Sequence, residues 1–150
     1  YFDIPSASEV VLPDWDGSSY LCIHIRRGDY LNVASHLVDG DKFLHTAKKF
    51  TDLLRHVVVL SDSVIDSELQ LELKKIFQET EFLYELGPDA AHKIMRHAKV
   101  LICSNSQFSL IAAALNPNAL TLVPSKWFGD DNRKIEKCIH DQCDFQIFDI

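Results

Sequence analysis

The chain has little that would suit it to nucleic acid. Of its 150 residues only 15 are Lys or Arg, against 22 Asp or Glu, a formal net charge of −7. Binding a nucleic-acid backbone or an anionic bilayer requires a field of the opposite sign. No apolar run is long enough to span a bilayer, and no signal-peptide pattern is visible. The four cysteines, Cys22, Cys103, Cys138 and Cys143, form no Cys-x-x-Cys pair, which argues against structural zinc. Cys22 and Cys103 fall within apolar runs, where a thiol behaves as a small hydrophobe. Cys138 and Cys143 are compatible with a disulfide or with two free thiols. His45, His56, His92, His97 and His140 show no metal-ligand spacing, so no metal site is expected. Neither GxGxxG nor GxxxxGK[ST] is present, which removes the usual dinucleotide and P-loop readings. Internal repeats and low-complexity tracts are absent as well.

What is there is an ordinary globular composition, 47% hydrophobic and 25% charged, in a chain long enough for one core. Residues 1–18, with Pro5, Pro13, Gly17 and several Ser and Asp, read as an irregular lead-in. After them the pattern alternates. Residues 20–25 are a short apolar strand. Residues 41–54 place Phe43, Leu44, Ala47, Phe50, Leu53 and Leu54 at helical spacing. Residues 57–60 form a second strand, 66–78 an amphipathic helix and 81–84 a weaker strand. Gly87-Pro88-Asp89 opens a helix running to residue 97, and 100–103 is a third strong strand. A helix over 107–115, a strand over 119–123, a helix over 132–139 and an extended piece over 145–147 complete the chain. Asp41 is expected to cap the helix that starts at Lys42, and the Ser104–Ser106 turn, with Ser104 or Asn105 as N-cap candidates, the one that starts near Gln107. The alternation predicts one Rossmann-like α/β domain over 19–150, a parallel sheet with helices on both faces.

Ligands of such sheets bind beyond the carboxyl ends of the strands, and polar residues converge there. The first strand leads to His24, Arg26 and Arg27, the second to Ser61-Asp62-Ser63, and the third strong strand to Ser104-Asn105-Ser106. An arginine pair in an acidic chain is a local anion site, because a guanidinium fork matches phosphate bidentately. The helix start beyond Ser104 offers unpaired N–H groups and hydroxyls to a diphosphate.

His24-Ile25-Arg26-Arg27-Gly28-Asp29 resembles the His-x-Arg-Arg-x-Asp motif of the fucosyltransferases that use GDP-fucose, especially the α-1,2-fucosyltransferases of glycosyltransferase family eleven. Three further blocks look like that family in order and spacing. They are Leu60-Ser61-Asp62-Ser63, the stretch from Asp89 through Asn105-Ser106-Gln107-Phe108-Ser109, and Val123-Pro124-Ser125-Lys126-Trp127-Phe128. The match covers roughly residues 20–130. Gln107 stands where the family usually has Thr, Leu110-Ile111 where it has Trp-Trp, and Ala112 where it has Gly.

The resemblance implies the C-terminal, donor-binding half of a two-domain GT-B enzyme, with the N-terminal acceptor domain expected outside this chain. It implies an inverting transfer of fucose from GDP-fucose to a glycan hydroxyl, without a metal or other cofactor. Arg26 and Arg27 would meet the β-phosphate, Arg27 foremost. Ser106, Gln107 and Phe108 would hold the phosphates through the helix N-terminus, with Asn105 also among the donor-binding residues, and His24, Asp89 and Asp62 the guanosine. Asp29 is expected to orient an arginine. Asp39, Asp41 and His36, in the loop after the motif, supply no evident base. The partners expected are GDP-fucose, a glycan acceptor and the chain's own N-terminal domain. The alternatives are a nucleotide-sugar-binding module without catalysis and a purely structural α/β domain.

Overall fold

Valine-, isoleucine- and leucine-rich runs too short to be buried helices pair side by side, and the amphipathic runs between them cover both faces. The computed structural model describes residues 19–32, 36–116, 119–125 and 145–150. Its strands are β1 (Tyr20–Ile25), β2 (His56–Ser61), β3 (Glu79–Tyr84), β4 (Val100–Ile102), β5 (Leu120–Pro124) and β6 (Phe145–Phe148). Its helices are α1 (Gly40–Ala47), α2 (Ser67–Ile76), α3 (Pro88–His97) and α4 (Gln107–Ala114), with 3-10 turns at Asp29–Asn32 and Lys48–Phe50. The strands form one sheet in the order β3-β2-β1-β4-β5-β6, and every pairing is parallel. This is the expected Rossmann-like α/β architecture.

The sheet separates two cores, and the period of two along β1 decides what faces each. Leu21, Ile23 and Ile25 pack with Phe43 and Ala47 of α1 and with Leu69 and Leu73 of α2. Tyr20 and Cys22 pack on the other face with Ala91, Ile94 and Met95 of α3 and with Ala112 and Ala113 of α4. The Tyr20 hydroxyl donates to the Ile94 carbonyl at 2.7 Å, so its buried polar tip is satisfied. Asn116 ends α4 and ties it down: its amide donates to the carbonyls of Met95 and Ala98 at 3.2 and 3.0 Å.

Some boundaries differ from expectation for local reasons. The helix expected over 41–54 is α-helical only to Ala47 and tightens into the Lys48–Phe50 turn. The residue at its N-cap is Asp39, without a side-chain cap, so Asp41 lies in the first turn and does not cap. Of the polar residues Ser104–Ser106 before α4, it is Ser106 that occupies the N-cap. The extended piece near residue 145 is a full sixth strand, paired with β5. The lead-in 1–18, the helix expected over 132–139, and Cys138 and Cys143 lie outside the described residues.

Candidate active site

Strand order reverses between β1 and β4, and a doubly wound sheet opens its ligand crevice at that point. His24 lies on the α3/α4 side of β1 with Tyr20 and Cys22, and strand parity carries Arg26 to that side and Arg27 to the other. The side chains obey it. Arg26 lines a cleft on the α3/α4 side. The Arg27 guanidinium reaches Asp66, just before α2, with Nη1 at 2.9 Å from Oδ2.

Asp62, at the exit of β2, holds the turn after β1 together. Its Oδ1 accepts the Arg27 backbone N–H at 2.8 Å, and its Oδ2 lies 3.2 Å from Arg26 Nε. Asp29 accepts from Arg26 Nη2 at 3.0 Å, the orienting role expected of it. Gly28 makes this possible by lacking a side chain, since a Cβ there would lie 2.5 Å from Asp62 Oδ2 and 3.3 Å from its Cγ. Gly28→Ala should therefore push Asp62 off at least one arginine, costing about 1–3 kcal/mol of stability and weakening anion binding. Urea unfolding and nucleotide titration of the variant check this; wild-type values in both would show that the turn yields freely.

His24 is 7% exposed, and its Nδ1 lies 2.8 Å from the Ser104 hydroxyl. Burial lowers its pKa from 6.5 to about 4, with Arg26 and His92 adding to the shift and Asp62 opposing it, so the imidazole is neutral at physiological pH. The Phe108 ring lies 5.8 Å from His24 and 4.5 Å from His92, whose Nε2 is 3.1 Å from the Phe108 carbonyl. These contacts fix the start of α4 against the end of β1. The Ser109 hydroxyl donates back to the carbonyl of Ser106 at 3.0 Å. Cys22 and Cys103 are buried free thiols, Cys103 pushed up to about 12 chiefly by burial and Cys22 likewise raised, so neither is a nucleophile.

The cleft holds about 380 Å3 and is lined by the ends of β1, β2 and β3 and the starts of α3 and α4. Of the residues expected from sequence, His24, Arg26, Asp62 and Phe108 belong to its wall. Asn105 and Ser106 are buried in the turn that enters α4, and Gln107 is exposed at its first position. Arg27 lies against Asp66, and Asp89 lies beside His92, Lys93, Arg96 and His97 in a neighbouring depression. The apolar wall of Leu60, Leu83, Leu86, Pro88 and Ala91, and the carboxylate residue Glu85, were not anticipated. The one mark of Glu85 in the sequence is its place directly after a strand, and that strand is weakly patterned.

Asp39-Gly40-Asp41 has Asp-x-Asp spacing at the start of α1, where both carboxylates border a groove with Asp66, Glu68 and Glu72. Among the described residues no cluster of three or more His, Cys, Asp or Glu is arranged to hold a metal ion.

No curated protein matches the chain. The family model described as Glycosyl transferase family 11 matches residues 13–142, which takes in the arginine turn, the β2 exit and the entry to α4. With the motif of β1 standing at the switch point of a parallel sheet, the chain belongs to glycosyl transferase family 11, the fucosyltransferase family its arginine motif resembles.

Proposed function

We propose that this domain binds GDP-fucose as the donor half of a GT-B enzyme and passes fucose, with inversion and in an α-1,2 linkage, to a glycan hydroxyl. The observation that carries the proposal is Arg26, a cation at one end of an otherwise largely apolar cleft beside the N-terminus of α4. The apolar wall and Phe108 suit a planar base, and Arg26 suits the diphosphate. Asn105, Ser106 and Gln107 bring the turn and first N–H groups of α4 toward the phosphates.

In the transfer, the acceptor oxygen forms a bond to the sugar C1 as the bond from C1 to the β-phosphate oxygen breaks. The acceptor proton passes to solvent, and the negative charge of the broken bond gathers on the departing GDP. Arg26 is held by Asp62 and Asp29 before substrate arrives, so its guanidinium needs little reorganisation to meet that charge. Arg27, through its backbone N–H on Asp62 and its side chain on Asp66, holds the same turn from the other face.

The test is nucleotide binding. GDP should raise the melting temperature more than UDP or ADP at equal concentration, and chelator should leave the GDP shift unchanged. Equal shifts with all three nucleotides would reduce the cleft to a generic anion site, and a GDP shift that vanishes with chelator would overturn the metal-free reading.

A further inference from the structure

Glu85, at the exit of β3, combines a place in the cleft wall with a backbone that costs free energy. It is the one non-glycine residue at positive φ among those described, at 54°. A side chain in the left-handed region is held there at a cost in free energy, and Gly or Asn would adopt that conformation more readily. The strain is pinned by the Glu85 N–H, which donates to the Ser61 carbonyl at 3.1 Å, and Ser61 belongs to the same wall.

We propose that Glu85 reads the base of the donor nucleotide and confines the cleft to guanine, an inference that rests on the nucleotide reading above. Glu85 stands where the base would lie. β3 lies two strands from β1, about 10 Å at the usual spacing. A nucleoside diphosphate with its phosphates at Arg26 has its ribose next to them and the Watson–Crick edge of its base furthest away, toward β3.

The Glu85 carboxylate also matches guanine in hydrogen-bonding pattern. An ionised carboxylate only accepts hydrogen bonds. Guanine presents two adjacent donors on that edge, the ring N1–H and the exocyclic amino group. Adenine sets a ring acceptor beside its donor, uracil flanks its single N–H with two carbonyls, and cytosine offers one donor beside two acceptors. Only guanine meets a carboxylate without opposing lone pairs. The other acidic group in the wall, Asp62, is already engaged by both arginines.

Equilibrium titration of GDP and inosine diphosphate, which is GDP without the exocyclic amino group, tests this on wild type, Glu85→Gln, Glu85→Ala and Asp89→Asn. Wild type should prefer GDP about tenfold or more. Both Glu85 variants should bind GDP at least tenfold more weakly and lose most of that preference, while binding inosine diphosphate more nearly as wild type does. Asp89→Asn should retain the preference. If Glu85→Ala keeps it, or Asp89→Asn abolishes it, the assignment to Glu85 falls while the donor reading stands. If wild type binds neither nucleotide, the donor reading itself falls. Glu85 is exposed, so circular dichroism and melting of the variants should match wild type and separate base reading from folding.

Discussion

Arg26→Lys should fold like wild type and lose one to two decades of GDP affinity, whereas Arg27→Lys should change both properties little. Lysine keeps the charge but not the planar fork, and a charged bidentate contact left unmade costs about 1.5–3 kcal/mol. Arg26 stands in the cleft wall with its side chain 39% exposed, so no core packing depends on its shape. Arg27 is turned to the opposite face, where it meets Asp66, a carboxylate 64% exposed. The Arg27 side chain itself is only 15% exposed, but the pair opens to solvent on its carboxylate side, where such contacts contribute little, and a lysine still reaches Asp66 in part. The backbone N–H that Arg27 donates to Asp62 survives the substitution. By its motif alone Arg27 is the stronger candidate for the β-phosphate, so the pair of variants decides between the two. If Arg27→Lys loses GDP while Arg26→Lys keeps it, the parity argument fails and the phosphate lies on the α1/α2 side.

That parity was legible in the chain. His24 and Arg26 are two apart, and along a strand that spacing alone puts them on one face with Cys22 and leaves Arg27 with Ile23 and Ile25. The alternation of strands and helices was legible too, because each buried run is short and β-branched and each helix carries its apolar stripe. Tyr20–Ile25 follows from that pattern to the residue. The role of Asp62 was not. A carboxylate at a strand exit looks the same whether it meets a ligand or a neighbouring turn. Only the register of β1 beside β2, with Ile25 opposite Ser61, puts it against the arginines and under Gly28. Glu85 was only faintly legible, because Glu79–Tyr84 is an edge strand with weak alternation and its exit carries no other mark. The cap of α4 was legible as the Ser104–Ser106 turn but not to the residue, since three polar residues in a row before Gln107 compete for one position.

His24 should make the protein acid-sensitive in a window set by its own burial. Its pKa is near 6.5 when exposed and about 4 in the folded protein, chiefly because the ring is buried. The unfolded chain therefore takes up the proton first as pH falls. The stability tied to a neutral His24 is complete above about pH 6.5, drains away as pH drops, and is fully lost below about pH 4, a total of about 3 kcal/mol. Between about pH 7 and about pH 5 the expected loss from this group is about 2 kcal/mol. His24→Gln removes the titration and keeps a polar group near Ser104, although its own baseline will be lower for the lost fit against Phe108. Urea unfolding of both proteins across that range isolates the effect, because the other histidines are common to both. The wild-type curve should fall more steeply than that of His24→Gln by this amount. Parallel curves would mean that the ring takes its proton without cost, and His24 would then be a charged donor in the cleft instead of a neutral one.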